Sequence, residues 1–181
     1  MTHPIPAYPN QVIPLSETIW ANADAVASQW RSSTGSESNL YNFVNAADDG
    51  SYVWLRTANV IITDGTRDLR FDMATPSGDP NPYQNVDIRV RTRYYDDAAN
   101  PSSMTMQMNL YENGSQVTGG GGATQNITTT STDYDERLST TAINNVSNWA
   151  DVEVDMNFTA AGVDLDGEIQ IRVYRVAIVF S

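Results

Sequence analysis

Apolar and polar residues alternate along most of the chain from residue 52 onward. The stretch from Asn85 to Tyr95 shows this most clearly. Val86, Ile88, Val90, Thr92 and Tyr94 fall on one side; Asp87, Arg89, Arg91 and Arg93 fall on the other. A period of two residues predicts a strand with one buried and one wet face. Leu69, Phe71 and Met73 keep the same period, as do Met104, Met106, Met108 and Leu110. Val152, Val154, Met156 and Phe158 alternate with Glu153, Asp155 and Asn157, which are expected to point outward into solvent. YVWLR (52–56) and ANVIIT (58–63) are rich in β-branched and aromatic residues and also read as strands. The segment 168–180 begins by alternating at Ile169, Ile171 and Val173, then becomes continuously apolar from Val176 to Phe180. That change predicts a central strand, or a bulge that flips the apolar face.

Turn chemistry divides these strands. Asp64-Gly65 and Asn113-Gly114 are hairpin signals, because a type I′ turn needs positive φ at both central positions. Gly119–Gly122 interrupts the return strand predicted around Ser115–Thr118 and reads as a bulge or flexible loop. Only Asn39–Val44 and Thr140–Asn148 suggest short helices. About eight strands at intervals of about ten residues predict an all-β fold, an antiparallel β-sandwich of jelly-roll type. Residues 19–181 form this single domain. Residues 1–18 hold Pro4, Pro6, Pro9 and Pro14, a density that forbids a helix and predicts an extended, proline-rich arm. Such an arm is expected to pack on its own domain or to lie against a neighbouring subunit, and the neighbour is favoured.

Composition narrows the function classes. The formal net charge is −12, which disfavours nucleic-acid binding, since affinity there rests on neutralising phosphates. All basic residues are Arg, the side chain better suited to desolvated ion pairs at interfaces, although genome composition accounts for this usage more simply. The chain has no cysteine, so disulfides and thiolate metal sites are excluded. The N-terminal residues have neither a basic region nor an apolar run, and no signal peptide is expected. No segment approaches the roughly 18 apolar residues of a membrane span.

Catalytic chemistry is sparse. The sole histidine, His3, sits in the arm, so neither a His-activated nucleophile nor a zinc site is expected. Paired carboxylates are the best enzyme case, with Asp87, Glu153 and Asp96-Asp97 as candidates. Acids alternating outward from strands are more simply read as solvated surface. Calcium ligands could come from Asp164–Glu168, Asp48-Asp49 or Asp133–Glu136, although Asp-Gly pairs are ordinary turn formers. Sequons at Asn113, Asn126, Asn145 and Asn157 are attributed to chance in a chain rich in Asn and Thr. Trp20, Trp30, Trp54 and Trp149 could stack on sugars, but large aromatics more often fill cores and interfaces. The arginine face of residues 87–93 is expected to pair with Asp151, Glu153 and Asp155, or to bind carboxylates across a subunit boundary. No catalytic, cofactor-binding or metal residue is assigned.

The segment from Trp30 to Val53 carries a resemblance. Trp30, Ser33-Thr34-Gly35, Asn39-Leu40-Tyr41, Val44, Asp48-Asp49, Tyr52 and Val53 resemble a module of tailed-bacteriophage virion proteins. The downstream strands follow that module's order, and the resemblance covers about residues 30–181. It implies a jelly-roll-like structural domain that is not an enzyme and carries no cofactor. It further implies a head decoration (cement) protein on the outer surface of the capsid. Its partners would be the major capsid protein and copies of itself, a homotrimer by analogy, with no nucleic acid or membrane. The alternative within the family is a fibre or tail-appendage domain that binds host-surface glycans.

Overall fold

A computed structural model describes residues 17–27, 30–45, 49–58, 67–78, 80, 85–97, 101–161 and 168–181. The described residues form ten strands: β1 (Glu17–Val26), β2 (Arg31–Ser32), β3 (Val53–Ala58), β4 (Asp68–Met73), β5 (Val86–Asp97), β6 (Ser103–Glu112), β7 (Ser115–Asn126), β8 (Thr132–Arg137), β9 (Val152–Ala161) and β10 (Glu168–Phe180). One short helix, α1 (Thr140–Asn145), precedes β9, and 3-10 turns occupy Leu40–Phe43 and Trp149–Asp151. The two predicted helical segments are therefore helical, but shorter than expected. The predicted arm lies outside the described residues except for Glu17 and Thr18. These two belong to β1, so the sandwich begins two residues earlier than the sequence suggested.

All pairings are antiparallel. Sheet I runs β2-β3-β10-β5-β8, and sheet II runs β1-β4-β9-β6-β7. β1 belongs to both. Its Glu17–Trp20 half pairs with Phe180–Ala177 of β10, and its Ala21–Val26 half pairs with β4 through two register shifts. A strand that bends from one layer into the other closes that side of a sandwich. β10 is central, as its apolar run predicted, and its register against β5 shifts between Val173 and Arg175. This bulge lets Ile169, Ile171 and Val173, and then Val176, Ile178 and Phe180, all reach the core.

The inner faces meet the predicted pattern. Leu69, Phe71, Ile88, Val90, Met106, Met108, Val154 and Met156 are fully buried. Burying each such side chain stabilises the fold by about 1.5–3 kcal/mol before entropy is counted. Trp30 packs on Phe158 with ring centroids 5.5 Å apart. Its indole N–H donates to the Asp68 carbonyl at 3.0 Å, so the large ring is buried with its one polar group satisfied. Leu40 and Val44 join it in the core, and Tyr41 packs at the edge. The turn between β2 and this segment is held by Ser32 Oγ, which accepts from the Ser36 N–H at 2.9 Å, and by Gly35 at φ +90°.

The glycine run takes the first of its two expected forms, a bulged stretch: Gly119–Gly122 stays within β7, with register shifts against β6 on either side of Asn109. The cause is steric. A Cβ on Gly122 would stand 2.4 Å from the Met108 carbonyl oxygen, and one on Gly120 would stand 3.0 Å from Leu110 Cβ. The strand needs these glycines so that backbones can approach closely.

Candidate functional site

Two outward faces carry the polar chemistry. On sheet II, strand register sets side chains in rows. Arg70, Asp155 and Asn109 are neighbours across β4, β9 and β6, and Asp72, Glu153 and Tyr111 form the next row. Arg70 Nε donates to Asp155 at 3.2 Å and its Nη1 donates to Glu153 at 3.3 Å. The guanidinium carbon lies 3.7 Å from the centre of the Tyr111 ring. Glu153 also accepts from the Gly114 backbone N–H at 2.6 Å, and Asn109 donates to Asp155 at 3.4 Å. Gln116 reaches over the backbone of Gly121 to donate to Asn109. A Cβ on Gly121 would come 3.0 Å from that Gln116 nitrogen.

The network is buried although it lies on an outward face. Asp155 is 2% exposed and Glu153 is 7% exposed. Burial raises the Asp155 pKa above the usual carboxylate range, against the opposing pull of Arg70. Burial also works against the Arg70 charge, but Asp155 and Glu153 more than offset it and its pKa rises. Desolvation raises the Tyr111 hydroxyl, and raises Asp72 with help from the charges of Glu153 and Asp24. The expectation that Glu153 and Asp155 are solvated surface is thus corrected: a tyrosine and a guanidinium cover them.

Farther along sheet II, Thr105, Gln107, Thr124, Asn157 and Thr159 line an open groove of about 280 Å³. Its side chains are hydroxyls and amides.

On sheet I, the charges of β5 and β8 alternate with complementary register. Asp87 faces Arg137, Arg89 faces Asp135, and Arg91 faces Asp133. Arg89 reaches Asp135 at 2.6 Å, and Arg91 reaches Asp49 at 2.7 Å and Asp133 at 3.2 Å. The hydrogen bond from Arg91 holds the Asp49 pKa below the ordinary value. This corrects the expected pairing of the β5 arginines with Asp151, Glu153 and Asp155. β9 lies in sheet II, where its acids serve Arg70, whereas β5 has β8 and β10 as neighbours. The true partner was visible in the sequence as the alternation of Asp133, Asp135 and Arg137.

The paired-carboxylate candidates are not brought together. Asp87 is on the outer face of sheet I, bonded to Arg137, and Glu153 is on that of sheet II. Two acids on opposite layers cannot flank one glycosidic bond. The side chains of Asp96 and Asp97, the segment from Asp164 to Gly167, Asp48 and His3 lie outside the described residues. Among the described residues, no three His, Asp or Glu side chains converge as a metal-binding group.

Trp30 and Trp149 are core residues, and Trp149 packs on Phe180 with ring centroids 5.5 Å apart. Trp54 is half-buried and donates to the Ser32 carbonyl at 2.9 Å. Among the described residues, Tyr95 is the one large hydrophobic side chain that is exposed, at 52%.

No family model matches the chain, and no curated protein matches it. Among solved structures, it is similar to the CBM22-1 xylan-binding domain from Paenibacillus barcinonensis Xyn10C. The identity is 8% and the TM-score 0.43, over 93% of this chain and 97% of that one. No residue role is carried across from it.

Proposed function

We propose that this chain is a capsid decoration (cement) protein of a tailed phage. In this reading it is a non-enzymatic module on the outer surface of the shell, bound to the major capsid protein and to its own copies. The observation that carries the reading is the arginine-rich face of sheet I. Three arginines lie on β5, two on β10 and one each on β2, β3 and β8, leaving two elsewhere in a chain of net charge −12. Arginine and aromatic residues together are typical of protein interfaces, where the planar guanidinium keeps its hydrogen bonds on desolvation. The resemblance of residues 30–181 to virion modules supplies the identity of the partner.

The test is reconstitution on heads that lack this chain. Purified protein is expected to bind in regular, high copy number on the head surface, seen by electron microscopy. Deleting residues 1–16, and no further because β1 begins at Glu17, is expected to abolish attachment while the sandwich still melts cooperatively. Truncated protein that decorates heads at full occupancy would refute the role of the arm. Failure of the full chain to bind any head would refute the function.

One observation favours a second reading, a fibre or appendage domain that binds host glycans. The sheet II groove offers Thr105, Gln107, Thr124, Asn157 and Thr159, groups that can hydrogen-bond sugar hydroxyls. Saturation-transfer NMR with host-surface glycans checks it. A contact map centred on these five residues would favour this reading over decoration.

A further inference from the structure

Arg175 of sheet I reaches Asp133 at 3.8 Å, and six further arginines of the sheet fall into two sets. Arg31, Arg89, Arg91 and Arg137 each hold a carboxylate within 3.3 Å. Arg93 and Arg172 hold none among the described residues. They stand directly opposite each other across β5 and β10. Like charges in that position repel.

Aromatic rings surround the two guanidiniums. Arg172 lies 4.8 Å from the ring centre of Tyr52 and 5.7 Å from that of the exposed Tyr95. Arg93 lies 5.8 Å from the ring centre of Tyr174. Trp54 is the neighbour of Arg172 on β3, and Arg31 is the neighbour of Trp54 on β2, so one row crosses four strands. Arg172 spends a donor on Gln170, while the Nε of Arg93 is buried with no acceptor. A buried donor without an acceptor is unfavourable, and the remaining N–H groups of that guanidinium are the ones an anion can engage.

We propose that Arg93 and Arg172, with Tyr52, Trp54 and Tyr95 around them, form a binding site for a carboxylate side chain of an acidic segment in a partner protein. This deepens the decoration reading and rests on it: the partner is the capsid shell. The occupant is negative, because two guanidiniums face each other with no carboxylate in salt-bridge contact among the described residues. A planar, forked carboxylate matches the geometry of a guanidinium. The aromatic rim suits a polypeptide, whose flanking side chains cover Tyr95 while the carboxylate is clamped. Among the described acids of this face, Asp49, Asp87, Asp133 and Asp135 are bonded to Arg89, Arg91 and Arg137 and do not clamp the Arg93–Arg172 pair.

The experiment has two arms. In the first, a blocked peptide of alternating Asp and Gly is titrated into the full chain, and arginine Nε–H signals are followed by NMR. The Arg93 and Arg172 signals are expected to shift together. Arg172→Gln is expected to weaken binding about tenfold, the ratio set by loss of one charge-assisted hydrogen bond. Arg172→Lys, which keeps the charge but not the fork, separates geometry from charge and should also bind more weakly. A thermal melt identifies any variant that fails to fold, and Arg93→Gln then serves in its place. No shift with the peptide, or equal affinity in all variants, overturns the proposal. Tighter binding of inorganic phosphate or of a polygalacturonate oligomer than of the peptide overturns its occupant.

In the second arm, the variants are tested for head decoration. Loss of decoration alongside loss of peptide binding supports the proposal and the decoration reading together. Peptide binding that Arg172→Gln weakens, with decoration unchanged, leaves the carboxylate site standing and removes the shell as its source.

Discussion

Replacing Arg70 by methionine removes one cation from two carboxylates and an aromatic ring at once. The side chain of Arg70 is 13% exposed, and those of Glu153 and Asp155 are 9% and 3% exposed, so solvent cannot compensate the loss. Breaking a buried pair from one side costs about 3–5 kcal/mol, because an unpaired charge is left behind. The contact with Tyr111, 3.7 Å from the guanidinium carbon, adds about 0.5–2 kcal/mol. Methionine packing over the same ring returns part of this. A net loss of about 3 kcal/mol is expected, which lowers Tm by about 6–12 °C for a domain of this size. The loss should shrink as pH falls, because burial then acts on Asp155 without opposition and its carboxyl takes up a proton more readily. Urea denaturation of both proteins from pH 5 to pH 8 measures the difference. Adding Asp155→Asn to the variant should recover part of the stability. A loss below about 1 kcal/mol that does not vary with pH would show that the network is not buried as described.

Other outcomes follow from single contacts. Asp155 has a raised folded pKa, so its contribution is fully present below the ordinary carboxylate value and is lost as pH rises through the folded value. Asp155→Asn should therefore flatten the pH dependence of the urea midpoint on the acid side. Asp49 has the opposite sign: its lowered pKa gives stability above the ordinary value that is lost as pH falls, and Asp49→Asn should remove that acid-side loss. Gly122→Ala should cost about 1–3 kcal/mol through overpacking against the Met108 carbonyl, while Gly78→Ala, with nothing within 4 Å, should be near neutral; chemical denaturation checks both. Asp24 accepts from the backbone N–H groups of Leu40 and Tyr41 at 2.9 and 2.8 Å, so Asp24→Ala should cost about 1–2 kcal/mol and loosen hydrogen-exchange protection at those two amides.

The alternation of apolar side chains made the fold legible, because a period of two fixes which residues face inward. Leu69, Phe71 and Met73, and the methionines of β6, are buried as that rule requires. What alternation cannot give is which strands are neighbours. The arginines of β5 were matched to the acids of β9 by charge alone, and the actual neighbour is β8, whose acids alternate equally well. Nor does a polar position announce whether something will cover it. Asp155 sits on the outward side of β9, and it is buried where Arg70 of β4 and Asn109 of β6 bond to it and Tyr111 stacks on the guanidinium. The glycines of β7 announce a bulge but not that the strand continues through it; crowding at Met108 and Leu110 explains why glycine is needed there. The pairing of Arg93 with Arg172 had no sequence signature at all, since it depends on a register between strands about eighty residues apart.

The placement of β1 has a mechanical consequence. Glu17 pairs with Phe180, so the two strands that end the sandwich meet at the same corner of sheet I. Tension applied between those two ends would open the β1–β10 ladder one hydrogen bond at a time, like a zipper. The Ala21–Val26 half, seated on β4 in the other layer, meets the load only after Glu17–Trp20 has peeled away. A tether attached ahead of Glu17 would therefore yield first by shedding four residues of strand. It would lengthen under strain while β4, β9 and β6 stayed packed, behaving as a shock absorber ahead of a rigid body.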